Sequence, residues 1–252
     1  MKLALLAILA SSACVIDEAD LGQTDQDVTT TNKLATNKLA SNKLASNKLA
    51  AAAFANGMEA QPLLDTADGR DVLTYMLQCA LTPVQSITLT DSSGTPWTFG
   101  GLIGVAPAWT TRALALDEQR WVTGCLLARV NYFGIVVSLS MRGDLPALAT
   151  TVEERDYKEL DGAFYGNLFD PAGALEYACD GKSDNALRIC ADLSSDGVTT
   201  MCGFTYTGPC QRGVLVPACT GTSPALSCRN ALTATTSTAT YSEVVSVYLT
   251  KI

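Results

Sequence analysis

The 252-residue chain contains no histidine. That removes Ser-His-Asp and Cys-His nucleophiles, imidazole-ligated metals and the most common general base near neutral pH. No G-x-S-x-G elbow, phosphate-binding P-loop or G-x-G-x-x-G turn occurs, so three common hydrolase and nucleotide signatures are absent. Among nine cysteines there is no C-x-x-C pair, which leaves zinc only an all-thiolate or carboxylate-assisted site. Basic charge is scarce: residues 51–252 carry 12 basic and 20 acidic side chains. A positive footprint for nucleic acid is therefore missing, and no cofactor motif replaces it.

What is present begins with an address. Residues 1–13, MKLALLAILASSA, place one lysine before an apolar run and end on small residues. This is the plan of a secretory signal, and the run is far below the ~20 residues of a membrane-spanning helix. Ser11, Ser12 and Ala13 before Cys14 resemble a bacterial lipobox, although the position three before the cysteine is Ser11 where Leu is usual. Lipidation at Cys14 is the reading adopted; the bland one is an ordinary signal followed by an incidental cysteine. Val15, rather than Asp, follows the cysteine, which by resemblance to enterobacterial sorting directs the chain to the outer membrane. Setting Cys14 aside leaves eight cysteines: Cys79, Cys125, Cys179, Cys190, Cys202, Cys210, Cys219 and Cys228. Eight can close four disulfides in an oxidising compartment.

Residues 14–31 are polar and acidic, with Asp17, Glu18, Asp20, Asp25 and Asp27 and no aromatic residue. That is the composition of a disordered linker. Residues 32–51 then repeat NKLA with a period of five. Each repeat turns a helix by about 500°, so Leu34, Leu39, Leu44 and Leu49 share no helical face. On a strand an odd period sends successive leucines to opposite sides. A pentapeptide solenoid needs Asp or Asn directly before its central Leu; here Lys33, Lys38, Lys43 and Lys48 intervene. The repeat therefore reads as a tether, with its lysines either solvated or touching anionic lipid or wall polymer.

A folded domain is expected over residues 62–252. Asp68 offers an N-cap, Val72, Leu73, Met76, Leu77 and Ala80 recur at helical spacing, and Pro83 stops the run. Ile87 and Leu89, the turn Asp91–Gly94, then Trp97 and Phe99 read as a hairpin. A second helix from about Asp117 aligns Trp121, Val122, Cys125, Leu126 and Val130, and Gly134 closes it. Ile135, Val137, Leu139 and Met141 alternate as a strand. Each helix carries one cysteine on its apolar face, so Cys79–Cys125 is the favoured bridge. Residues 171–235 hold six cysteines among turn residues and read as a cysteine-rich insertion, a thin-cored lobe needing staples. Their spacing leaves the pairing open. Val245, Val247 and Leu249 alternate at the end of the chain, as a strand returning to the main sheet would. The expected class is α+β: an antiparallel sheet, two disulfide-linked helices and a loop-rich, disulfide-stapled C-terminal lobe.

The stretches QRWVTGCLLARVNYFGIVVSLSMRG and DGAFYGNLFD resemble uncharacterised exported proteins of myxobacteria. These pair a lipoprotein-like start and short Leu-rich repeats with a cysteine-bearing domain. The likeness spans residues 65–230 by pattern and implies an exported protein without supplying catalytic residues.

Two clusters could carry chemistry. Glu153, Glu154, Asp156, Glu159 and Asp161, with Asp170 beyond, lie among Tyr157, Phe164 and Tyr165. Paired acids beside aromatic platforms are what glycoside hydrolysis requires. Interleaving with Arg155 and Lys158 equally describes a solvated face. DLSSDGV sets Asp192, Ser194, Asp196 and Gly197 at the first, third, fifth and sixth positions of an EF-hand-like calcium loop. The twelfth position is Gly203 instead of Glu, so a hairpin turn is the simpler reading. Of three tryptophans, Trp97 and Trp121 fall on core faces and Trp109 reads as the exposed one. Taken together the sequence suggests a membrane-anchored envelope module, non-enzymatic, contacting cell-wall polymer or polysaccharide and no nucleic acid. A carboxylate-dependent hydrolase of envelope or prey polysaccharide is the alternative.

Overall fold

The computed structural model describes residues 29–32, 34–35, 49, 54, 58–181, 188–211, 217–230 and 239–250. The signal, Cys14, Leu39 and Leu44 lie outside them. The first strands are β1 (Thr29–Asn32), β2 (Leu34–Ala35), β3 (Ser86–Thr90), β4 (Pro96–Gly100), β5 (Val130–Asn131) and β6 (Val137–Arg142). They are followed by β7 (Tyr157–Asn167), β8 (Leu175–Asp180), β9 (Thr205–Pro209), β10 (Cys219–Thr222), β11 (Ala225–Arg229), β12 (Thr240–Tyr241) and β13 (Val245–Thr250). The helices are α1 (Gln61–Leu64), α2 (Ala67–Ala80) and α3 (Leu116–Ala128).

Six strands form the main sheet in the order β1-β6-β13-β7-β8-β9, antiparallel except for the β8–β9 pair. The last strand of the chain thus lies inside the sheet, with Val245, Val247 and Leu249 buried. Its alternation is the imprint of that position. β3 and β4 form the expected hairpin. Asp91 builds its turn, its carboxylate accepting from the N–H groups of Ser93 and Thr95, from the Ser93 hydroxyl and from Trp97 Nε1.

In α2 the five residues at helical spacing are all buried. Its N-cap is Thr66, whose Oγ1 accepts the Gly69 N–H at 3.0 Å, while Asp68 lies within the first turn. In α3 the Glu118 carboxylate reaches back to the Ala115 N–H at 2.8 Å and also binds Arg112. Gly124 sits where α3 crosses the sheet: a Cβ there would stand 3.0 Å from the Phe164 carbonyl oxygen. The Cys79–Cys125 bridge joins α2 to α3 with Cα atoms 5.9 Å apart. α3 ends at Ala128, well before Gly134, so Val130, expected on its apolar face, begins the two-residue strand β5 instead. Ile135, expected in β6, is exposed ahead of it.

The boundary at residue 62 moves. Thr29–Asn32 pairs with β6 as an edge strand, and Leu34–Ala35 runs parallel to β5. Leu34, Leu49 and Phe54 are buried in the main core. The repeat is therefore a tether only in part, because its first and last leucines fill sites that a helical-wheel or strand argument cannot locate. Leu34→Ala is expected to destabilise the domain by about 3 kcal/mol, the cost of a buried leucine truncation. Urea titration checks this; an unchanged midpoint would return the repeat to the role of a spacer.

The cysteine-rich insertion is corrected as well. β8 and β9 belong to the main sheet, and only β10, β11 and β12 form a separate small one. Trp109 is fully buried, contrary to expectation. Pro107 opens a 3-10 turn that folds the indole inward, edge-on to Phe54 at 4.7 Å and Phe169 at 5.8 Å. Both rings come from distant chain segments, so nothing next to Trp109 reveals its burial.

Candidate functional site

The acids of this stretch take separate roles. Glu153 opens a 3-10 turn through Asp156. Glu154 is fully buried, and its Oε2 accepts the Thr151 N–H at 2.6 Å. Asp156 is exposed and Glu159 half-buried. Asp161 takes a fourth role. Val247 and Tyr248 on β13 face Gly162 and Leu160, so Asp161 is the extra residue of a β-bulge. Such a bulge re-aims a side chain out of strict alternation. Its carboxylate meets Arg188 at 3.3 Å, with both side chains buried. The guanidinium also lies 4.8 Å over the Phe164 ring. Burial pushes the Asp161 carboxyl above its usual range, opposed by Arg188 and reinforced by Asp192. Burial lowers Arg188 in turn. Asp170, further on, accepts the Ala172 N–H and shapes the turn after β7.

A glycosidase pair needs one neutral acid and one ionised carboxylate flanking a sugar. Here the two most buried acids of the cluster have separate partners, Glu154 Oε2 a backbone N–H and Asp161 a cation, while Glu154 Oε1 has none among the described residues. Arg188 was invisible to sequence reasoning, and its only signal was indirect: an acid buried in a strand requires a countercharge.

Asp192, Ser194 and Asp196 lie on a hairpin that the Leu193–Thr200 bridge pairs. Asp196 Oδ1 accepts from the Ser194 hydroxyl and from the N–H groups of Val198 and Thr199. Those bonds hold its carboxyl well below the usual carboxylate range, the Ser194 hydroxyl first among them. Gly197, at φ +68°, makes the turn, and Cys190–Cys202 closes its base.

The densest grouping of reactive atoms is sulfur. Cys179–Cys210 and Cys219–Cys228 are bonded pairs, and Cys179 Sγ lies 3.5 Å from Cys219 Sγ. The sulfurs of Cys179, Cys210 and Cys219 all fall within 4.8 Å of one another. A soft metal would take them only as thiolates, and both disulfides consume that form. Around them Tyr165, Tyr177 and Tyr241 make a second small core. The Tyr165 hydroxyl donates to the Arg229 carbonyl at 2.7 Å and shares a bond with Thr207, while burial pushes its titration up. Tyr241 is pushed up to about 12, by burial first. Hydroxyls so held are donors that brace the lobe and poor bases near neutral pH.

Comparison with known proteins returned no matching family model, no matching curated protein and no matching solved structure.

Proposed function

We propose that this chain is an exported, lipid-anchored envelope protein whose disulfide-braced α+β domain is a non-enzymatic surface binding or structural module. The observation that carries the reading is the commitment of its acids: Asp161 to Arg188 and Glu154 to a backbone N–H. Four disulfides suit an oxidising compartment, and Cys14 is the one cysteine left over from them. With β1 paired at the edge of the sheet, the leash shortens to residues 15–28, at most about 50 Å when extended. The domain is then held close to its membrane, within reach of wall polymer or polysaccharide.

Cys14 is the point to test. The wild-type protein is expected to partition into the detergent phase of a cloud-point extraction and to carry a diacylglyceryl mass on its Cys14 peptide. Cys14→Ser should move it to the aqueous phase. Equal partition of the two would end the anchoring claim.

A further inference from the structure

Ten large hydrophobic side chains are exposed among the described residues, and four of them fall within five positions. Tyr132 is 45% exposed, Phe133 52%, Ile135 39% and Val136 58%. They occupy the loop between β5 and β6, within a run from Val130 to Met141 that contains no charged residue. Scattered single hydrophobes on a surface need no explanation, but a contiguous set does.

The loop is rigidly built. Asn131 is fully buried; its Oδ1 accepts the Phe133 N–H at 2.8 Å and its Nδ2 donates to the Ile135 carbonyl at 2.9 Å. Gly134 turns the chain at φ +63°, a region that favours glycine. The Tyr132 and Phe133 rings meet edge-on at 5.2 Å. A buried amide thus both donates to and accepts from the backbone of this apolar tip.

Its position names the occupant. Both ends of the loop pair with the N-terminal segment: Val130 with Leu34, and Val137 with Asn32. The leash leaves β1 at Thr29, three residues and about 10 Å along the strand from Asn32. Lys33 lies between the two strands in sequence, and Lys38, Lys43 and Lys48 follow. An uncharged aromatic and aliphatic tip whose two ends pair with the residues on either side of Lys33 suits the headgroup and acyl boundary of an anionic bilayer. A polysaccharide would use the rings but gain little from Ile135 and Val136, which have no face to stack.

We propose that the Tyr132–Val136 loop inserts into the phospholipid bilayer to which Cys14 tethers the chain, so that the domain lies on the membrane through a second contact. This rests on the anchoring reading, and the test separates the two. The exported full chain carrying Cys14→Ser, and so lacking any acyl group, is sedimented with vesicles of phosphatidylglycerol and phosphatidylethanolamine. It is compared with the same chain also carrying Y132S, F133S, I135S and V136S. The loop variant is expected to bind at least tenfold more weakly with an unchanged thermal transition. F133S alone, the control against misfolding, is expected to lose about threefold. Equal vesicle binding by all three would overturn the proposal. So would a loop-dependent dimer in lipid-free sedimentation, or loop-dependent pelleting with peptidoglycan and none with vesicles. Acylation of Cys14 is read separately from the peptide mass, so failure of the anchor and failure of the loop give different results.

Discussion

Asp161→Leu is expected to lower the stability of the domain by about 3–5 kcal/mol, the penalty for leaving a buried cation without its partner. Arg188 is fully buried, its nitrogens lack hydrogen-bond partners among the described residues, and the Asp161 carboxylate is its countercharge. The pair itself is not expected to stabilise. Burial dominates both groups, raising the acid and lowering the base, so desolvation outweighs what the contact returns. Replacing both, as in Asp161→Leu with Arg188→Met, should therefore come within about 1 kcal/mol of wild type or exceed it. The pH dependence follows from the direction of the acid's shift. A carboxyl raised in the folded state binds its proton more tightly there than in the unfolded chain. Its contribution is thus most favourable in acid and declines as pH rises from the ordinary value of 3.8 through the raised one. D161L should lack that decline. Denaturant titrations of the two single variants and the double variant at two pH values measure all of this. A D161L midpoint equal to wild type would mean that Arg188 has another partner or is solvated.

Loss of the Cys79–Cys125 bridge is the second large effect. It spans 46 residues, against 31, 12 and 9 for the other three. On the chain-entropy relation, closing that loop contributes about 4 kcal/mol, and closing the shortest contributes about 2.6. Cys79→Ala with Cys125→Ala should therefore cost about 1.5 kcal/mol more than Cys219→Ala with Cys228→Ala. The order is informative because the two bridges act on different cores. The first ties α2 to α3 over the main core, while the second joins the adjacent strands β10 and β11 beside the tyrosine cluster. Side-by-side urea unfolding of the two double variants decides it. A larger loss at Cys219–Cys228 would show that the lobe, with its thin core, governs the global transition.

The sequence by itself determined whatever is written in local periodicity. The apolar spacing of Val72, Leu73, Met76 and Leu77 specified α2 and placed Cys79 on the same buried edge. The matching edge of α3 carries Cys125, so their bridge was legible before any coordinate. The Asp91–Gly94 turn and the alternating Val245, Val247 and Leu249 were equally local, since a hairpin and a half-buried strand impose a period of two on neighbouring residues. Only the tertiary structure decided the fates that depend on residues far along the chain. Leu34 and Leu49 enter the core although their five-residue period defines no face, because the places they fill are lined by other elements. Trp109 is buried by Phe54 and Phe169, one from each side of it in the chain. Asp161 meets Arg188, 27 positions further on, at a bulge that no local spacing encodes. The NYFGIVV stretch shows the same division. Its hydrophobicity reads as core in a linear scan, yet a buried Asn131 holds four of its side chains out to solvent. Periodicity reports which side of an element is apolar; what lies against that side is set by contacts between segments that no local pattern encodes.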